Sequence, residues 1–131
     1  MYICLLNRIE MKYLLKTKRI YEAPEKSDGY RILVDRLWPR GISKEKAAID
    51  EWNKNIAPSP ELRKFFSHKT DLFDTFKKLY IEELKTQKVE LTRIKTLTAN
   101  QNVTLLFGAK DEQHNQAVVL LEVLTKTKIQ L

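Results

Sequence analysis

Two short apolar runs, Ile32-Leu33-Val34 and Val103-Thr104-Leu105-Leu106-Phe107, constrain this chain more than any other feature. Neither alternates apolar with polar residues, so neither suits a strand with one wet face. Both carry β-branched residues and are too short for a buried helix. A continuous apolar strand needs cover on both faces, which is the condition of a parallel sheet with helices packed on it. Between and after the runs, apolar residues recur at helical spacing. The pattern predicts an α/β fold: a small, mainly parallel sheet flanked by helices in three layers, in a single domain.

The punctuation sets the elements. A first strand is expected near Leu15–Tyr21, a second over Tyr30–Asp35 after the breakers Pro24, Asp28 and Gly29, and a short third around Glu51–Asn55. Ser43 should cap a short helix, KEKAA. Ser59-Pro60 starts another, because serine caps and proline fills the first helical position, where no N–H is needed. Thr70-Asp71 is expected to cap a helix carrying Leu72, Phe73, Phe76, Leu79, Tyr80 and Leu84. Further helices are expected over Val89–Thr98 and Gln113–Lys126, the last apolar most of the way round. Phe65, Phe66, Phe73 and Phe76 read as core.

A length of 131 residues fits one domain. The net charge of +7 is uneven, because the first twenty residues carry +4 from Arg8, Lys12, Lys16, Lys18 and Arg19 against Glu10. The rest is nearly balanced, so nucleic acid is only a weakly supported partner. Residues 1–12 are expected to be an N-terminal extension, with Met11 a plausible second start, ahead of a domain spanning 13–131. Ile3, Leu6 and Ile9 would share one side of a helix there. No stretch reaches the roughly 18 apolar residues of a membrane span, so no membrane partner is expected. The single cysteine, Cys4, allows no internal disulfide and fits a cytoplasmic location. No Cys/His zinc spacing and no nucleotide or dinucleotide motif is present, so neither a metal nor a cofactor is expected.

Open α/β sheets bind ligands beyond the carboxyl ends of their strands. Two loops lie there, DRLWPRG after Val34 and GAKDEQHN after Phe107, and parallel strands would bring both to one edge. Arg36 and Arg40 have planar forks suited to carboxylate or phosphate. Gly108 admits close backbone approach, Lys110 adds charge, and Asn115 stands at the helix start. Asp111 and His114 form the candidate proton-handling pair. Asp35 and Trp38 would orient or wall the pocket. These residues point to a small anionic ligand, phosphate, sulfate or carboxylate. Hydrolysis or group transfer would come ahead of redox chemistry, and a non-catalytic module for nucleic acid or protein is the competing reading. Each residue also has a structural explanation. Arg36 could bridge to Asp35 or Asp111, Trp38 could be core, Asp111 a helix cap, and His68 a loop hydrogen-bonder. The Lys/Glu-rich faces of the middle helices read as solvated surface.

The segments RIYEAP, DGYRILVDRLWPRGISKEKAAIDEWNKNIAPSPELRKFFSH and VTLLFGAKDEQHNQAVVLLEVL resemble the YeaO-like branch of the domain-of-unknown-function 488 family, from Lys16 to Leu124. The resemblance implies a small cytoplasmic bacterial or archaeal α/β protein and brings no activity with it. A longer branch of that family carries a cysteine in the loop after its late strand, and an arginine after a histidine at the helix start. That pattern is similar to the anion loops of rhodaneses and phosphatases. Here the loop reads Phe107-Gly108-Ala109-Lys110, then His114-Asn115, without thiol or arginine. The resemblance thus implies an anion-binding geometry that lacks the nucleophile.

Overall fold

The structure, a computed structural model, describes residues 12–126. The expected N-terminal helix and Cys4 lie outside the described residues. Four strands form one parallel sheet: β1 (Leu15–Arg19), β2 (Tyr30–Leu33), β3 (Glu51–Trp52) and β4 (Val103–Phe107), in the order β1-β4-β2-β3. The last strand in the chain is thus inserted between the first two. Leu15 lies opposite Val103 and Arg19 opposite Phe107, while Leu33 lies opposite Leu106. All five residues of β4 are buried, which is why VTLLF shows no alternation.

Among the described residues five α-helices accompany the sheet: α1 (Lys44–Ala47), α2 (Pro60–Phe66), α3 (Phe73–Leu84), α4 (Lys88–Leu97) and α5 (Gln116–Thr125). The layers are unequal. On one face Leu15, Ile32, Val34, Val103, Leu105 and Phe107 pack against residues of α2 to α5, including Phe76, Tyr80, Ile94 and Leu120. On the other face, the thinner layer is α1 and its neighbouring loops, with Ile20, Leu33, Leu106 and Ala47 under Trp38, Ile42, Ile49 and Trp52.

That second face also holds charge. Asp28, fully buried at the mouth of β2, is bonded by Lys16 at 2.9 Å, Lys18 at 3.0 Å and Arg31. Burial alone would push its carboxyl up. The Glu25 backbone N–H and the three cations outweigh that and hold it well below the usual carboxylate range.

The local chemistry explains where expected boundaries moved. Ser59 caps α2 through a 3.2 Å bond to the Leu62 N–H, and its own N–H and hydroxyl donate to Glu83 of α3. β3 stops at Trp52 because the Asn53 side chain accepts the Ile56 N–H at 3.1 Å and turns the chain. Thr70 and Asp71 do not cap α3. They lie in a 3₁₀ turn, Thr70–Leu72, that leads into it. The last helix starts at Gln116 rather than Gln113, because Asn115 is its N-cap and accepts the Val118 N–H at 3.0 Å. Phe65 is an exception to the core reading, since it is 40% exposed.

Candidate functional site

Because β2 and β4 are neighbours and parallel, the loops that follow them leave from the same edge. Asp35 ties the two together. One carboxylate oxygen accepts the Gly108 N–H at 3.0 Å, and the other accepts the side-chain amide of Gln116 at the start of α5. Its carbonyl accepts the Trp52 indole N–H at 2.8 Å. Gly108 is required by this closeness, since a Cβ there would stand 2.9 Å from the Asp35 carboxylate and 3.3 Å from Pro39. Burial pushes the Asp35 carboxyl up from 3.8 to about 6, against the opposing pull of Gly108, Gln116 and the charge of Arg63.

The rest of the first loop divides into braces and free groups. Arg36 donates to the carbonyls of Pro58 at 2.8 Å and Ala57 at 3.1 Å, which fastens the segment entering α2. Among the described residues it forms no ion pair with Asp35 or Asp111. Trp38 donates to the Ile42 carbonyl at 2.8 Å and meets Trp52 edge to face at 5.3 Å, so it serves the thinner core. Arg40 is exposed, and only its carbonyl is engaged, by the Tyr21 hydroxyl at 2.6 Å. Arg19, at the tip of β1, covers the Tyr21 ring and donates to the Ala109 carbonyl at 2.9 Å.

A cleft of about 580 Å³ opens between the strand tips and α2. Its polar lining includes Asp35, Arg36, Arg40, Arg63, Lys64 and His68. Arg63 and Lys64 lie on the part of α2 turned from the core, whose inward residues are Leu62 and Phe66. Neither they nor Arg40 form an ion pair among the described residues. Asp35 is the one carboxyl lining the cleft among those residues. Ser67 and His68 both take left-handed backbone, with φ of 41° and 59°, and this turns the chain sharply at the end of α2 and places His68 at the cleft. A smaller cavity of about 320 Å³ is also lined by Arg36, together with Ser59, Tyr80 and Glu83.

The cleft therefore gathers Asp35, Arg36, Trp38, Arg40 and Gly108 from the residues singled out in the sequence. It does not gather Lys110, Asp111, His114 or Asn115. Asp111 accepts the Gln113 and His114 N–H groups at 2.9 and 3.0 Å with one oxygen, and meets His114 Nδ1 at 2.9 Å with the other. The Gln113 N–H is the main reason its carboxyl lies below the ordinary range. The expected Asp111–His114 pair is thus hydrogen-bonded, but its ring edge rests on Phe73, at 5.1 Å between centroids, outside the cleft lining. Asn115 is buried and spent, its amide nitrogen on the Asp111 carbonyl and its oxygen on the cap of α5. Lys110 is exposed beside this turn.

Arg63, Lys64 and His68 were not singled out from the sequence as ligand groups. The available signal was topological. The helix opened by Ser59-Pro60 follows the third strand, so this short helix begins near the same sheet edge. Among the described residues no group of three or more His, Cys, Asp or Glu side chains could hold a metal ion. Among these residues no helix is long and apolar enough to cross a membrane.

Fold and cleft together define a small parallel α/β protein whose sheet edge opens onto a cleft lined by cations. The chain belongs to the DUF488 family, and the profile of the "Inactive DUF488-N3 subclade" matches residues 14–130. It is similar to the uncharacterized protein YeaO of Escherichia coli, with 47% identity over 108 residues, 82% of this chain and 94% of that protein. The uncharacterized protein Mb3100c of Mycobacterium bovis is 36% identical over 110 residues, 84% of this chain and 92% of the relative. The same figures hold for Rv3073c of Mycobacterium tuberculosis. No solved structure matches.

Proposed function

We propose that this protein binds a small oxyanion, phosphate, sulfate or carboxylate, in the cleft at the carboxyl edge of its sheet, and that it does so without catalysing thiol-based transfer. The observation that carries the reading is the charge of the lining: Arg36, Arg40, Arg63 and Lys64 against the single carboxyl of Asp35. Arg36 is committed to backbone carbonyls, which leaves Arg40, Arg63 and Lys64 as the groups for an incoming anion. Among the described residues the lining contains no cysteine, and the family description "inactive" is consistent with a binding role. Two or three charge-assisted hydrogen bonds, at about 1.5–3 kcal/mol each before binding costs, give modest affinity.

Sulfate tests this directly, because it stays doubly charged across the working pH range. Thermal unfolding is followed against sulfate at constant ionic strength for the wild type, Arg40→Gln and Arg63→Gln. Both side chains are exposed, so the variants should fold. The expected result is a saturable rise in Tm for the wild type that falls at least threefold in each variant. Equal protection of all three proteins would refute the assignment.

A further inference from the structure

We infer that the ligand of this cleft is an organic oxyanion, a phosphate or carboxylate head carried on one apolar body such as an aryl group, rather than an inorganic ion. The inference rests on the anion reading of the same cleft and goes on to name the class of molecule. Size is the first argument. A cleft of about 580 Å³ lies within the range of about 300–1,000 Å³ that holds whole organic ligands. An inorganic tetrahedral ion on Arg40, Arg63 and Lys64 would leave most of that space to water.

The second argument is the composition of the walls. The cations share the cleft with the exposed Leu37, set over a floor of the buried Pro39, Pro58, Phe66 and Phe76. An inorganic anion gains nothing from such a surface, whereas an aryl or branched alkyl group gains by leaving water. The third argument is Leu37 itself. It is 58% exposed, belongs to neither hydrophobic cluster, and stands between Arg36 and Trp38, both of which are fixed by hydrogen bonds. The fold does not need a leucine there. A ligand with an apolar body would give it a partner, the head meeting the arginines while the body covers Leu37.

The test compares inorganic phosphate, methyl phosphate and phenyl phosphate as stabilisers in thermal unfolding, at pH 8 and constant ionic strength, for the wild type and Leu37→Ser. Leu37 is outside the core, so the variant should keep the wild-type Tm without ligand. Half-maximal protection by phenyl phosphate is expected at a concentration at least tenfold below that of methyl phosphate. Leu37→Ser should reduce this advantage at least threefold and leave methyl phosphate unchanged. Equal protection by phenyl and methyl phosphate, or an aryl advantage untouched by Leu37→Ser, overturns the inference and leaves the anion reading standing. Absence of protection by all three compounds overturns both.

Discussion

Asp35→Asn should make the protein more stable at neutral pH and leave it unchanged in acid. Asp35 is a carboxylate held in a partly dehydrated position by two neutral donors, the Gly108 N–H and the Gln116 amide, with no ion pair among the described residues. Burial dominates, and the carboxyl rises from 3.8 to about 6. A group whose folded pKa is raised in this way binds its proton more tightly in the native state. It therefore favours folding in acid. That contribution is lost as pH climbs from about 4 to about 6, and above this the ionised group stays as a constant penalty. At about 1.36 kcal/mol per pH unit, the rise from 3.8 to about 6 is worth on the order of 3 kcal/mol.

Asparagine keeps the shape and removes the titration. Its oxygen can still accept the Gly108 N–H, and Gln116 can turn its amide to present oxygen to the new NH₂ group. Urea unfolding of both proteins at pH 4, 5, 6, 7 and 8 reads the difference directly. The expected curve has the variant about equal to the wild type at pH 4 and more stable by about 2–3 kcal/mol at pH 7 and above, with the change centred between pH 4 and 6. A variant that is less stable at pH 8, or whose difference from the wild type does not change with pH, would show that Asp35 acts as an ordinary bridging carboxylate. The burial argument would then be wrong.

Two further substitutions test the frame around the cleft by urea unfolding. Arg36→Ala should destabilise by about 2–4 kcal/mol, because the Ala57 and Pro58 carbonyls each lose a hydrogen bond to a charged donor. A neutral result would mean that Arg36 is free to serve a ligand. Asp28→Asn should cost about 3–5 kcal/mol at pH 7, since Lys18 and Arg31, 8% and 4% exposed, lose their buried counter-charge. The wild type's contribution from Asp28 should persist through mildly acidic pH and fade only as the medium drops below the usual carboxylate range, because the native carboxyl is depressed.

The sheet and most helices were legible because each left a local signature. Unbroken apolar runs marked β2 and β4, Ser59-Pro60 marked the start of α2, and the Leu/Phe spacing marked α3. The insertion of β4 between β1 and β2 has no such signature, since strand order follows from long-range packing. The second layer was harder for the same reason. Lys16, Lys18 and Arg31 carry no local sign of a shared partner, yet all three bond Asp28. At the site, the sequence pointed to this edge and to five residues of the lining, Asp35, Arg36, Trp38, Arg40 and Gly108. In the GAKDEQHN loop, Asp111 and Asn115 are as good at capping as at binding, and here local backbone N–H groups claim them.

Gly108 shows how this redistributes the chemistry. Its freedom from a side chain lets an anion approach the backbone, and an anion does approach, but it is the carboxylate of Asp35. At the N-terminus of α5 the Asn115 side chain takes the Val118 N–H, and the Gln116 side-chain amide reaches Asp35. The fixed dipoles of the β4–α5 turn are thus spent internally on holding two strand tips together. An external anion entering the cleft meets long, exposed side chains instead: Arg40 from the first loop, and Arg63 and Lys64 from α2. Such groups attract at a distance and impose little geometry. On the proposed reading, selectivity would then fall to the apolar part of the cleft, Leu37 over the buried Pro39, Phe66 and Phe76, rather than to charge.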